Sequence, residues 1–205
     1  MAIEINSFDK ARVVALKQYA EIELELVRLL HNLLNVDHAI ASAILFQITN
    51  TRSRYAIISS ILEIKFNETW KLPWKMLEKW LVSIDSRRNH IVHWLEEEFI
   101  VINFDAEKNE IEDVETQPYL ANSSRKWRAM SSKELIYKEG DILEVANSAR
   151  VISRIMNRYN CSISEPDDWP WTDIFQKPIA HQTPVEFLQL LNDRGHPAQL
   201  PPYHW

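Results

Sequence analysis

One short segment, Arg88-Asn89-His90-Ile91-Val92-His93, brings together side chains that can cleave an RNA chain without a metal ion. A neutral imidazole such as that of His93 can take the proton from a ribose 2′-hydroxyl, because histidine titrates near neutrality. The guanidinium of Arg88 can bind the phosphate through two hydrogen bonds and offset the charge that develops on its oxygens. Asn89 can orient the histidine or the phosphate. The segment therefore predicts a catalytic group of Arg88, Asn89 and His93.

A helix predicted from Trp74 to about Leu95 must position these groups. At about 100° per residue, Arg88 falls on the apolar face of that helix, while Asn89 and His93 share a separate polar face. About 140° separates Arg88 from His93. A common phosphate can then reach both side chains only through a groove or a neighbouring subunit. The apolar positions of the helix are Leu77, Leu81, Ile84, Ile91 and Leu95.

Other side chains near the segment have expected supporting roles. We expect Arg87, Lys79 and Lys75 to contribute to binding, because positive charges outnumber negative ones between Lys65 and His93. A solvated helix face explains the same charges equally well. The supporting residues are predicted to be Asp85, His90 and Glu23, with His90 on the solvent-exposed flank.

Two alternative interpretations of the segment remain open. In the first, it is purely structural, and Arg88 pairs with a core glutamate, Glu23 or Glu25, while His93 pairs with Glu97. In the second, it holds a metal ion, because His90, His93 and Glu97 have helical ligand spacing and His31 or His38 can supply a further ligand. Our prediction is that the protein binds neither a metal nor another cofactor.

The composition excludes several classes of site. With 205 residues and 46% apolar side chains, the chain can form a substantial core, but only 2 glycines argue against Rossmann and P-loop phosphate sites. A single cysteine, Cys161, excludes an internal disulfide and a cysteine zinc cluster. The absence of a long apolar run predicts no membrane span, and we expect a reducing cytoplasm. The net charge of -6 argues against a nonspecific nucleic-acid coat protein.

Apolar periodicity predicts a mainly α-helical bundle of about five helices. The first helix has its inward stripe from Val13 and Leu16 through Ala20 to Leu34, and the second, over Ala39 to Ile48, is apolar enough to lie at the centre of the core. The third helix is predicted at about 52–65 and the fifth at about 140–158. The fourth runs from Trp74 to about Leu95, with Pro73 suited to the first helical position.

Between the last two helices the pattern changes to β-branched segments. Phe99 to Phe104 and Glu110 to Glu115 predict a hairpin, with a further strand at Leu135 to Tyr137. We therefore predict a bundle over residues 1–160 with a β insertion at about 99–138. Residues 161–205 form a tail rich in tryptophan and proline, with a short helix at 184–193, that is expected to pack on the bundle or on a partner subunit.

The segment Arg88 to His93 resembles the arginine, four-to-six residues, histidine signature of HEPN domains, in which a polar residue such as Asn89 often follows the arginine. The resemblance covers about residues 8–160, including the helices before the motif and the inserted hairpin. It implies a metal-independent endoribonuclease that acts as a homodimer on an RNA substrate. It also implies a role in a toxin-antitoxin pair or in anti-phage defence, with a cognate antitoxin or defence partner. Other HEPN domains are inactive binding or assembly proteins, which is the alternative function.

Overall fold

The structure is a computed structural model that describes residues 6–66, 68–105, 110–121, 137–176 and 183–194. Within these ranges the chain is mainly helical, so the helical-bundle class predicted from the sequence is confirmed. Residues 122–136, which include most of the strand predicted at Leu135 to Tyr137, lie outside the described residues, as does the tail beyond Arg194. The elements, in chain order, are α1 (Ser7–Leu34), α2 (His38–Gln47), α3 (Thr51–Lys65), α4 (Glu68–His93), β1 (Leu95–Asp105), β2 (Glu110–Ala121), α5 (Glu139–Ser164), α6 (Thr172–Phe175) and α7 (Pro184–Arg194).

The first three helices begin where a short polar side chain caps the free backbone N–H groups of the first turn. Asn6 accepts from the backbone N–H of Asp9 at 2.7 Å, and Asp37 and Asn50 cap α2 and α3 in the same way. Helix α1 ends where Asn35 adopts the left-handed conformation, with φ 53°. Local sequence signals therefore set these boundaries.

The inward stripe of α1 is rotated from the predicted one. Val13 and Ala20, which were expected inside, are exposed, and the prediction for the first half of the helix is therefore wrong. A second series at helical spacing is buried instead, because it faces α5 and α4. That series is Phe8, Ala11, Ala15, Tyr19, Ile22 and Leu26.

Helix α2 lies at the edge of the bundle, which corrects its predicted place at the centre of the core. Only Ala41 and Leu45 are buried, whereas Ile40, Ile44 and Phe46 are 52, 38 and 46% exposed. The reason is geometric, since this short helix packs mainly on α1 and has one covered side.

Helix α4, which carries the motif, begins at Glu68 rather than near Pro73. Pro73 stands in the second turn, where it removes a single intrahelical hydrogen bond. Two buried tryptophans compensate for that loss: Trp70 packs against Tyr159 of α5 with ring centroids 6.0 Å apart, and Trp74 donates to Ser59 Oγ at 2.7 Å. Tertiary packing therefore extends the helix through the proline.

Strands β1 and β2 form an antiparallel pair between the motif helix and α5. Their register runs from Leu95 opposite Ala121 to Asp105 opposite Glu110, with an irregularity after Asn103. Tyr137 joins β2 through two backbone hydrogen bonds to Leu120, at 2.9 and 3.2 Å. This bridge brings Tyr137 beside the end of α4.

Helix α5 lies along α1 and also carries the C-terminal helices. On its far side the ring of Tyr159 meets Phe175, which in turn meets Phe187 of α7, with centroids 5.3 and 5.5 Å apart. The buried guanidinium of Arg158 donates to Asn192 and lies over the ring of Trp171. The described part of the tail, α6 and α7, therefore packs on the bundle.

A buried carboxylate links α1 to α5. Glu25 is 3% exposed and accepts from Asn157 at 3.3 Å and from Asn160 at 2.9 Å, while Arg28 donates to it at 2.8 Å. Burial raises the pKa of Glu25, and the charge of Arg28 and the amide hydrogen bonds only partly oppose this rise. The folded protein therefore holds the Glu25 proton more tightly than the unfolded chain.

This raised pKa predicts that Glu25→Gln stabilises the protein at neutral and alkaline pH. Because the folded state binds more protons, the free energy of unfolding of the wild type falls as pH rises from the ordinary glutamate pKa of about 4.3. A glutamine side chain resembles the protonated acid but does not ionise. The free energy of unfolding of the variant therefore does not fall in this way as pH rises. Thermal unfolding should give equal melting temperatures at about pH 4 and a higher one for the variant at about pH 8. The control is the exposed Glu165→Gln, and a lower melting temperature of Glu25→Gln at both pH values would contradict the prediction.

Candidate functional site

Arg88 lies half-buried on the side of α4 that faces α1. Its guanidinium carbon stands 5.1 Å from the ring centroid of Tyr19, and Nη1 donates to Asn89 Oδ1 at 3.0 Å. The Nε atom is buried and has no hydrogen-bond partner in the part of the chain that the structure describes. No described carboxylate lies within ion-pair distance of this guanidinium. Arg88 is thus a partly sequestered cation held by an aromatic ring and a neutral amide.

Tyr19 connects two residues of the motif helix. While its ring supports Arg88, its hydroxyl donates to Asp85 Oδ1 at 2.6 Å, and Thr51 Oγ1 donates to the same oxygen at 3.4 Å. Burial raises the pKa of Tyr19, and the nearby Tyr55 and the hydrogen bond to Asp85 raise it further. The hydroxyl therefore stays protonated and acts as a donor, which fixes Asp85 against α1 and α3.

A cavity of about 880 Å³ opens on the polar face of α4. Its volume falls within the range of pockets that enclose small ligands. The side chains contributed by α4 recur at helical spacing and are mostly polar. They are Val82, Ser83, Asp85, Ser86, Arg87, Asn89 and His90.

Charged side chains from three helices complete this cavity. Arg87 donates to Glu144 of α5 at 3.1 Å, and Asp141 accepts from the backbone N–H of Lys138 at 2.9 Å. The side chain of Arg52 is exposed at the start of α3 and makes no ion pair with any described residue. Among its described residues, the cavity thus offers an unpaired arginine together with hydroxyl, amide and carboxylate groups.

His90 is half-buried, which corrects its predicted place on the solvent-exposed flank. Its ring stacks on Trp94 with centroids 4.2 Å apart and planes inclined by 21°, and its Nδ1 lies 3.2 Å from the hydroxyl of Tyr137. The ring of Tyr137 meets both neighbours edge-on. Burial lowers the pKa of His90 and so favours the neutral ring. His90 and Tyr137 of this cluster line the cavity.

His93 is exposed at the last residue of α4, one turn beyond Asn89 on the same face. It makes no hydrogen bond or ion pair with the described residues. Nearby, Arg12 of α1 donates to the carbonyl of Ile91 at 3.3 Å and ties this turn to the bundle. The structure thus brings Arg88 and Asn89 into contact and leaves His93 one turn beyond Asn89, exposed to solvent. The side chain of Glu97, a proposed partner, lies outside the described side chains.

The two glutamates considered as partners of Arg88 are bound elsewhere. Glu23 accepts from Arg54 at 3.1 Å, and Glu25 belongs to the α1–α5 link. The structural pairing of Arg88 with Glu23 or Glu25 is therefore wrong. A supporting role of Glu23 stays a prediction. Helix geometry separates these groups, because both glutamates lie at least one turn beyond Tyr19, the residue that contacts Arg88.

The predicted binding lysines are exposed on the same side of α4 as His93. Lys75 lies 18 positions, or about five turns, before His93, and Lys79 lies about 40° from that direction. Arg87, by contrast, is held by Glu144 at the rim of the cavity. The polar face of α4 therefore carries positive charge at its start, the cavity in its middle and His93 at its end.

Tyr19, Arg52 and Tyr137 are residues of this site that the sequence analysis did not single out. A signal for Tyr19 is present in the sequence, because Phe8, Ala11, Ala15 and Tyr19 have the same spacing as the predicted stripe. Arg52 and Tyr137 had no local signal, because their places depend on how α3 and the strand pair meet α4.

Among the described side chains, no three potential metal ligands converge. His31 and His38, considered as further ligands, lie together at the junction of α1 and α2, with ring centroids 6.0 Å apart. Within the described ranges no single helix is long and apolar enough to cross a bilayer; α1 and α2 together reach that length and composition but are bent by 116°.

Comparison with known proteins gives no relative: the chain matches no family model, no curated protein and no solved structure.

Proposed function

We propose that this protein is a metal-independent endoribonuclease of the HEPN type, with Arg88 as phosphate clamp, Asn89 as its orienting partner and His93 as general base. The observation that carries the proposal is that the described contacts of Arg88 leave its positive charge without a negatively charged partner. Its guanidinium is half-buried, yet its described partners are the ring of Tyr19 and the amide oxygen of Asn89, neither of which neutralises it. A cation held in this way keeps its charge for an anion.

The proposed chemistry is in-line attack by a ribose 2′-hydroxyl. His93 takes the hydroxyl proton while the bond from the 2′-oxygen to phosphorus forms. The bond from phosphorus to the 5′-oxygen breaks, and that oxygen takes a proton from water. Arg88 offsets the charge on the nonbridging oxygens throughout. The products are a 2′,3′-cyclic phosphate and a free 5′-hydroxyl, and no metal takes part.

The proposed active form is a homodimer. Arg88 and His93 project about 140° apart from one helix, so a second subunit is the simplest way to close a common cleft around the phosphate. In this proposal the strand pair is the hairpin inserted into a HEPN bundle. The proposed partners are an RNA substrate and, in a toxin-antitoxin or anti-phage setting, a cognate antitoxin or defence protein.

The test is RNA cleavage by the purified full chain in EDTA, with analysis of the product ends. We expect cleavage to continue without divalent cations and to leave a 2′,3′-cyclic phosphate, because the imidazole and the guanidinium supply the chemistry. Loss of cleavage in EDTA, with recovery on adding a metal, would contradict the mechanism. A 3′-hydroxyl product would also contradict it, because 2′-oxygen attack cannot produce one.

One observation favours a second candidate function, a non-enzymatic binding or assembly protein with the same bundle. His93 has no orienting partner among the described side chains, whereas a general base is usually held by one. This candidate predicts no RNA cleavage under any condition while oligonucleotide or protein binding is retained. The EDTA experiment separates the two candidates.

A further inference from the structure

The cavity on the polar face of α4 lies next to the proposed catalytic group. Asn89 belongs to both, since it lines the cavity and accepts from Arg88. His93 follows Asn89 by one turn, about 6 Å along the helix axis, and projects from nearly the same side. A chain bound with one phosphate at Arg88 and His93 would therefore place a neighbouring unit in the cavity.

The groups around the cavity match the parts of a nucleotide. Arg52 is an exposed cation without an ion pair among the described residues, whereas Arg87 is paired with Glu144. An arginine fork suits a phosphate group. The hydroxyls of Ser83 and Ser86 line the same space and can meet a ribose.

Asp85 supplies the contact that can distinguish bases. Its Oδ1 accepts from Tyr19 and Thr51, so this carboxylate is fixed in place, while no described residue donates to its Oδ2. An ionised carboxylate can only accept hydrogen bonds. It favours a base edge that carries an amino group, as in cytosine, over uracil, whose single N–H stands between two carbonyl acceptors.

From this geometry we propose that the cavity is a subsite for the nucleotide adjoining the scissile phosphate, in which Arg52 binds the phosphate of that nucleotide and Asp85 accepts a hydrogen bond from the amino group of its base. The inference rests on the proposed ribonuclease function. It assigns to that function a preference for amino-bearing bases over uracil at one position.

The test is binding of fluorescent 2′-O-methyl oligonucleotides, which lack the free 2′-hydroxyl needed for cleavage. The wild type should bind an oligocytidine more tightly than an oligouridine of equal length. Arg52→Ala should weaken the binding of both by about tenfold and lower the salt dependence by about one phosphate contact. Asp85→Asn keeps an acceptor for Tyr19 but replaces the free oxygen with a donor, so it should abolish the preference for cytidine.

Arg154→Ala, at an exposed position of α5 away from the cavity, is the matched control and should bind like the wild type. The subsite is refuted if the wild type binds neither oligonucleotide, if Arg52→Ala and Arg154→Ala weaken binding equally, or if Asp85→Asn retains the preference.

Failure of the proposed function gives a different combination of results. If no RNA is cleaved but the binding pattern holds, the catalytic assignment fails and the subsite stands; if RNA is cleaved and Arg52→Ala leaves KM unchanged, the subsite alone fails.

Discussion

His93→Ala is expected to lower the rate of RNA cleavage by about 10²–10⁴-fold, the usual contribution of a positioned general base. The side chain is exposed and makes no hydrogen bond or ion pair with described residues, so its truncation should leave the fold intact. Single-turnover cleavage measures the chemical step without product release, and circular dichroism reports on the helices.

The matched control for this variant is His38→Ala, another exposed histidine, at the start of α2 and away from the motif. It should cleave RNA at the wild-type rate. Equal cleavage by His93→Ala and the wild type would remove His93 from the mechanism. A loss of helical signal in His93→Ala would assign the residue a structural role instead.

Arg88→Met should abolish most cleavage without destabilising the bundle. The expected loss in rate is about 10²–10³-fold, the effect of removing one group that stabilises charge in a transition state. Methionine fills much of the same space against Tyr19, and replacing a partly buried cation with an apolar side chain is often neutral or stabilising. The melting temperature should therefore stay the same or rise.

Arg88→Lys is the informative companion variant, because it keeps the charge but lacks the planar fork that contacts Asn89 and is proposed to bind a phosphate. It should recover only part of the lost rate. The combination of a lower melting temperature and full cleavage in Arg88→Met would show that Arg88 is structural. That result would favour the binding-protein function.

The sequence was sufficient for features that depend on neighbours along the chain. Caps at Asn6, Asp37 and Asn50 start helices where short polar side chains precede apolar periodicity. The helical wheel predicted that Arg88 would lie among the apolar positions of its helix, and its neighbours Ile84 and Ile91 are buried. Both follow from the fixed geometry of the α-helix.

Periodicity was insufficient where two faces of a helix were both plausible. Helix α1 has two apolar series, and only its packing against α4 and α5 selects the one that contains Tyr19. Apolar composition likewise predicted a central α2, although among the described elements it packs mainly on α1. Pro73 was expected near a helix start, but buried Trp70 and Trp74 extend α4 beyond it.

The six residues from Arg88 to His93 were identifiable from the sequence alone, because residue type and helical spacing determine which side chains share a face of one helix. Only the tertiary structure decided their surroundings. In the structure, Tyr19 contacts Arg88 and Glu23 pairs with Arg54. His90 packs against Trp94 and Tyr137, and a cavity lies next to Asn89. These contacts join residues far apart in the chain, so they depend on how whole helices pack, which no local pattern records.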